Sequence, residues 1–359
     1  MEELKVTVYL STYNQEEYVA QALDSILMQK TSFRYEIIAA DDCSTDGTQN
    51  IILDYQKKYP GMIQTYFTNP NVGGCKKLTN CIDQGLFRGQ YLAYLEGDDY
   101  WLGEDRLQTL VDFLDQHPAY SRVSHQRLII NEKCEHIGMD LPDADLNKPF
   151  TVDDFLAGKN YSDFASVFRN YFRDVGSKYH TLLLASRNVC DFQDMFITQD
   201  FGPVYVMDKC FAVYRSRSIA GATNYNSITT QRRRCIDHIN ICRAVEDFYC
   251  GKYDLSPMIE RQQKRLLADA VAKQSESIFE EIRSYVPSAQ LRKLAPQEMY
   301  LALRGRRKSE VVFLWSQLAK SEKRGFCLAF VCYAFSRIWG KLTKSVTNDM
   351  LRGYRNEPS

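Results

Sequence analysis

Two hydrophobic periods alternate along the first 118 residues. Residues 5–11, Lys-Val-Thr-Val-Tyr-Leu-Ser, are rich in β-branched and aromatic side chains and predict a strand. Val19, Ala22, Leu23, Ile26 and Leu27 then recur at helical spacing, predicting a helix over 16–29. Residues 35–40 form a short apolar run, as a buried parallel strand requires. A polar turn over 41–48 follows, in which Ser44 or Thr45 can cap a helix over 48–58. A third strand is expected over 62–67, a Pro/Gly/Asn loop over 69–74 and a helix over 75–87. A fourth strand over 90–95 ends in Glu96-Gly97-Asp98-Asp99, and a helix over 107–116 stops at His117-Pro118. Strands alternating with helices in this way imply an α/β fold with a doubly wound, mostly parallel sheet. Ligands of such sheets bind beyond the carboxyl ends of the strands. The polar clusters Thr12-Tyr13-Asn14, Asp41-Asp42 and Asp98-Asp99 fall at those ends.

The pattern then changes. Strands are expected over 121–131 and 204–214, with a loop-rich stretch between them. From about residue 228 the period is helical, including one long run over 259–284. The chain therefore divides into an α/β part over 1–225 and a helical part over 226–359. The first part splits further into one half over 1–118 and another over 119–225.

Composition narrows the class. The 359 residues carry 45 Lys+Arg against 45 Asp+Glu, so no net positive charge is available to neutralise a nucleic acid, and no nucleic-acid partner is expected. The balance is uneven along the chain. Residues 1–110 hold 16 acids and 9 bases, whereas 300–359 hold 12 bases and 4 acids. The acidic end suits cation binding. The basic end suits an anionic surface or an oligomer contact, and residues 300–345 are the candidate for peripheral membrane contact. Within them, residues 326–339 are apolar and aromatic between basic flanks but fall short of the ~18 residues of a spanning helix. The N-terminus lacks the basic-then-apolar pattern of a secretory signal. Eleven Cys with no C-x-x-C pair indicate reduced thiols. A cytoplasmic protein, or one on the cytoplasmic face of the inner membrane, is expected.

Two segments carry the chemistry. Asp98 and Asp99 are adjacent carboxylates at a strand end, and a hard divalent cation relieves their repulsion while holding a diphosphate. Asp41-Asp42-Cys43-Ser44-Thr45-Asp46-Gly47-Thr48 offers carboxylates that can accept from a base N–H, beside residues that cap a helix. Taken in order, Ser11-Thr12-Tyr13-Asn14, this octapeptide, Asn71-Val72-Gly73 and Glu96-Gly97-Asp98-Asp99 resemble the motif series of glycosyltransferase family 2. That family comprises inverting enzymes with the GT-A nucleotide-sugar fold.

The resemblance implies site roles. Thr12, Tyr13, Asn14, one of Asp41 and Asp42, and Asp98 would bind the nucleotide. Asp99, helped by Asp98, would bind manganese or magnesium. Residues 156–170, Cys190-Asp191-Phe192 and Tyr214-Arg215 resemble segments of bacterial polysaccharide-type members, with Cys-Asp-Phe where these have G-D-W. This makes Asp191 the expected catalytic base, with Asp194 as the alternative. The implied activity is metal-dependent transfer of a sugar from a nucleotide donor, a UDP-sugar by expectation. The acceptor would be a hydroxyl of a growing glycan or lipid-linked oligosaccharide in surface polysaccharide biosynthesis. The competing reading is a non-catalytic subunit that binds nucleotide-sugar or glycan. Gln231-Arg232-Arg233-Arg234 resembles part of a processive-synthase motif, but the residues before it read as a helix start, so a basic first turn is expected.

Overall fold

The computed structural model describes residues 4–131, 133–161, 165–216, 229–323, 329–330 and 333–334. The chain forms two compact units. One holds residues up to Thr230 together with Arg243–Tyr253, and the other holds Gln231–Cys242 and residues from Asp254 onward.

The first unit is built on a ten-stranded, mostly parallel sheet. Its leading strands are β1 (Leu4–Thr12), β2 (Arg34–Asp41), β3 (Ile63–Phe67) and β4 (Tyr91–Glu96), followed by the two-residue β5 (Tyr100–Trp101). Helices α1 (Val19–Leu27), α2 (Thr48–Lys58), α3 (Gly74–Asp83) and α4 (Arg106–Gln116) alternate with them. β6 (Arg122–Ile130), β7 (His136–Met139), β8 (Lys148–Phe150), β9 (Val167–Arg169) and β10 (Val204–Arg215) complete the sheet. The path runs β3-β2-β1-β4-β9-β6-β10-β5, with β7 on β6 and β8 on β10.

β1 lies between β2 and β4, parallel to both. Its register sets Ser11 beside both Ala40 and Glu96, and Thr12 beside Asp41. The three motif-bearing strand ends are thus neighbours by hydrogen-bond register. Alternation along β1 divides its two faces. Val6, Val8 and Leu10 enter an apolar core with Leu23, Ile37, Leu95, Leu107 and Leu110. Thr7, Tyr9 and Ser11 point to the opposite side, where Thr7 Oγ1 donates to Glu36 at 2.7 Å and the Tyr9 ring packs on Phe87 and Tyr94.

The stretch between residues 132 and 203 holds more order than its composition predicts. β9 inserts antiparallel between β4 and β6, and three residues are too few to show a period. Short helices α5 (Val152–Leu156), α6 (Phe172–Val175) and α7 (His180–Leu183) precede α8 (Asp191–Gln199).

The second unit is helical. α9 (Gln231–Phe248), of which Gln231–Cys242 belong to this unit, does begin at the Gln-Arg-Arg-Arg segment. It is followed by α10 (Ser256–Lys273), α11 (Glu276–Ile282), α12 (Ser288–Arg304) and α13 (Lys308–Gln317). The single helix expected over 259–284 is two. Gln274 adopts a left-handed conformation that ends α10, and the Ser275 hydroxyl accepts from the Ile278 amide to cap α11. No helix among the described residues is long and apolar enough to cross a membrane. Most of the apolar run over 326–339 lies outside the described residues.

Candidate active site

The loops after β1 and β2 are tied to each other. Thr12 Oγ1 donates to Asp41 Oδ2 at 2.8 Å. Asn14, held at positive φ, donates its amide to Ser44 Oγ and accepts from the Thr45 amide, both at 2.8 Å. The Gln15 amide reaches Thr48 Oγ1 at 2.8 Å, and Glu16 Oε2 accepts from the Gly47 amide at 2.6 Å. A Cβ on Gly47 would stand 2.8 Å from that carboxylate oxygen, so a larger residue there would push the flexible Glu16 side chain aside. Tyr13 is half-buried in this turn.

Asp41 and Asp42 are both buried, but they are engaged differently. Four donors reach the Asp41 carboxylate: Thr12 Oγ1, the Ser44 amide, Ser44 Oγ and Gln49 Nε2. Three reach Asp42: Thr68 Oγ1 at 2.7 Å and the Val72 and Gly73 amides at 2.8 Å each. Asn71 Nδ2 also donates to the Asp42 carbonyl at 2.7 Å. The Asn-Val-Gly motif is therefore the loop that Asp42 holds. Gly73 has φ +92, and a Cβ there would meet Arg187 Cγ at 2.4 Å.

At the end of β4, the Gly97 amide donates to the Ser11 carbonyl at 2.8 Å. A Cβ on Gly97 would clash with Gln15 Oε1 at 2.5 Å and Thr12 Cγ2 at 2.7 Å, so this turn packs directly on the β1 loop. Asp98 is 7% and Asp99 5% exposed. The Arg215 amide donates to Asp99 Oδ1 at 2.9 Å, and Arg127 stands 3.9 Å from Oδ2 while paired to Asp140 at 2.8 Å. Burial, with the neighbouring Asp98 charge, pushes the Asp99 carboxyl well above the usual carboxylate range, against the pull of Arg127 and the Arg215 amide. Glu96 is pushed up to about 7 by burial, opposed by Lys77 and raised further by Asp98 and Asp191.

Asp191 and Asp194 share the first turn of α8 but differ in environment. Asp191 is exposed and accepts from the Phe192 amide at 2.9 Å. Its charge acts on Glu96, which brings it within electrostatic reach of the β4 end. Asp194 is buried in an ion pair with Arg122 and accepts from Tyr171 Oη at 2.7 Å. Arg122 is fully buried under the Phe168 ring, 4.2 Å from its centroid.

Three participants escape sequence reasoning. Arg127 faces Asp99 from β6. Gln49 supplies a donor to Asp41 from α2. Lys77 is buried on α3 behind the strand ends. Its one sequence signal is a lysine among the apolar positions Cys75, Leu78, Cys81 and Ile82 of a short helix.

The residues present suit a divalent cation that a ligand helps to hold. Among the described residues, no group of three or more His, Cys, Asp or Glu is arranged to bind an ion. Magnesium-type sites commonly use one or two carboxylates and complete their shell with phosphates and water. Asp98 and Asp99 supply two carboxylates, and the raised Asp99 is the group a cation would relieve.

Residues 7–179 match the family described as glycosyl transferase family 2. An uncharacterised protein of Mycobacterium tuberculosis is 36% identical over 156 residues, 44% of each chain. The chain thus spans under half the length of these relatives. Staphylococcus aureus TarS, a poly(ribitol-phosphate) β-N-acetylglucosaminyltransferase, is 33% identical over 117 residues, 32% of this chain and 19% of TarS. The crystal structure of TarS 1–349 in complex with UDP superposes with a TM-score of 0.54 at 16% identity, covering 88% of this chain and 90% of that one. That likeness shows a common GT-A-like fold. Residues 7–179 thus form a glycosyl transferase family 2 domain.

Proposed function

We propose that the chain is an inverting glycosyltransferase. It moves a sugar from a nucleotide donor, a UDP-sugar, to a hydroxyl of a growing glycan or lipid-linked oligosaccharide of a surface polysaccharide. Residues 1–225 serve as the catalytic domain, with the donor on 1–118 and the acceptor on 119–225. One observation carries the reading. Two buried carboxylates, one pushed far up, follow the end of β4, whose neighbour β1 ends in Thr12 beside Asp41 of β2. TarS, crystallised with UDP, supports the choice of donor.

Thr12, Tyr13 and Asn14 line the nucleoside end. A carboxylate offers about four acceptor sites. Asp41 has four donors and Asp42 has three, so Asp42 retains the capacity to accept the base N–H. A divalent cation, manganese or magnesium, held by Asp99 and Asp98 would stabilise the negative charge of the departing diphosphate. Asp191 takes the proton of the acceptor hydroxyl at its carboxylate. The freed oxygen bonds to the anomeric carbon as the bond to the diphosphate breaks, and the configuration inverts. Asp194 serves instead to keep Arg122 neutralised and α8 in place.

The test is a donor panel read as released nucleoside diphosphate, with and without added manganese. Cation-dependent release from a UDP-sugar supports the reading. UDP binding without turnover over a broad acceptor panel would favour the binding-subunit alternative.

For location, the stretch Arg304, Arg306, Arg307 and Lys308 is exposed beside exposed Leu301, Leu303, Val312 and Trp315. Bases among exposed apolar side chains support peripheral contact with the anionic cytoplasmic face of the membrane. Flotation with phosphatidylglycerol vesicles, lost on truncation after residue 300, would support it. Flotation unchanged by that truncation would refute it.

A further inference from the structure

We infer that Lys77 is a positioning residue for the donor, its ammonium holding the carboxyl ends of β1, β2 and β4 in the register that nucleotide binding needs. The inference rests on the nucleotide-donor reading above. Lys77 is 1% exposed. Its Nζ donates to the Thr12 carbonyl at 3.0 Å, the Ala40 carbonyl at 3.1 Å and Ser11 Oγ at 3.2 Å. Those three bonds use every donor that an ammonium has. Ser11 in turn hydrogen-bonds the Glu96 carboxylate, so the link extends to β4.

Each of these strands delivers one arm of the candidate site. β1 delivers Thr12, β2 delivers Asp41 and Asp42, and β4 leads into Asp98 and Asp99. The ammonium sits where the three ends meet, behind the ligand face and not on it.

Burying a charge here is costly, and it depresses the ammonium's pKa against the pull of Glu96, Asp42 and Asp41. Packing alone does not need that charge, because the rest of the buried face of α3 is made of uncharged residues. The Thr12 carbonyl would also keep a partner without Lys77, because it accepts from the Asp42 amide at 3.0 Å. What an apolar replacement removes is the group that fixes one strand end against the others, together with the positive charge facing Asp41, Asp42 and Glu96.

The experiment titrates UDP and GDP, each with manganese, into the full chain by calorimetry. Wild type, Lys77→Met and Ser11→Ala are compared, with ligand-free melting temperatures measured in parallel. For Lys77→Met the account expects UDP affinity to fall about tenfold or more. Donor KM should rise by a similar factor, while kcat falls less. Ser11→Ala, which removes one acceptor and the link to Glu96, should shift affinity in the same direction by less. A folded Lys77→Met protein with wild-type UDP affinity overturns the inference. If Lys77→Met does not fold, unchanged affinity in Ser11→Ala overturns it. If the wild type binds neither nucleotide, the donor reading itself fails, and this inference fails with it.

Discussion

The carboxyl ends of β1, β2 and β4 and the core of the helical unit handle buried polarity differently. At the strand ends, Thr12, Asp41, Asp42, Lys77, Asp98 and Asp99 are all buried, and the side chains of Asp41, Asp42 and Lys77 are each fixed by three or more hydrogen bonds. In the helical unit the core is Ile236, Ile239, Leu266, Leu267, Ala270, Phe279 and Leu294, the buried acids Asp237, Glu310 and Glu322 are each paired with an arginine, and other charges sit in partly exposed pairs one turn apart. Buried polar groups cost free energy unless fully bonded. Their concentration in one place, with Asp99 left far from its ordinary protonation behaviour, marks where the chain gives up stability for chemistry.

Mutations can break this comparison. The largest effect is expected for Asp191→Asn, which should lower kcat by about a thousandfold with an unchanged melting temperature. Steady-state rates and thermal unfolding check it together. Its neighbour provides the contrast. Asp194→Asn leaves the fully buried Arg122 without its carboxylate and should cost about 3 kcal/mol of stability or more. Denaturant unfolding would detect that, while the folded enzyme at low temperature keeps most of its turnover. If the two variants showed the same signature, the division of roles on α8 would be wrong.

A smaller effect concerns pH. Glu96 titrates at about 7 in the folded protein, above the 4.5 of an ordinary glutamate, because burial disfavours its charge. Its contribution is fully present below the unfolded value and is lost as pH rises through 7. The ligand-free melting temperature should therefore fall from pH 5 to pH 8 more steeply in wild type than in Glu96→Gln. Equal slopes would contradict the assignment. Smallest of all, Lys293→Ala in the helical unit removes a partly exposed pair with Glu260, which keeps Lys264 as a partner, and should change stability by less than about 1 kcal/mol. UDP affinity should not move.

The first half of the sheet was readable because its signals are redundant. β1 and β2 carry runs of apolar residues, and α2 runs from Thr48 to Lys58 as expected, although its N-cap is Gly47 and not Ser44 or Thr45. The motif clusters fall at strand ends, and the register makes those ends neighbours. β9 was not readable, since its three residues are held by pairing on both sides. The sequence ranked Asp191 above Asp194 by resemblance alone, and the ion pair that sets their environments apart depends on Arg122, far off in sequence. The role of Lys77 was not readable, because its three acceptors come from residues 11, 12 and 40.

The most direct test of the central claim is release of UDP from a UDP-sugar, measured with and without manganese, in wild type and Asp99→Ala. The account predicts manganese-dependent release by the wild type, and a loss in Asp99→Ala on the order of a thousandfold, as expected when several kcal/mol of charge stabilisation are removed. Undiminished, manganese-dependent release by Asp99→Ala would contradict it.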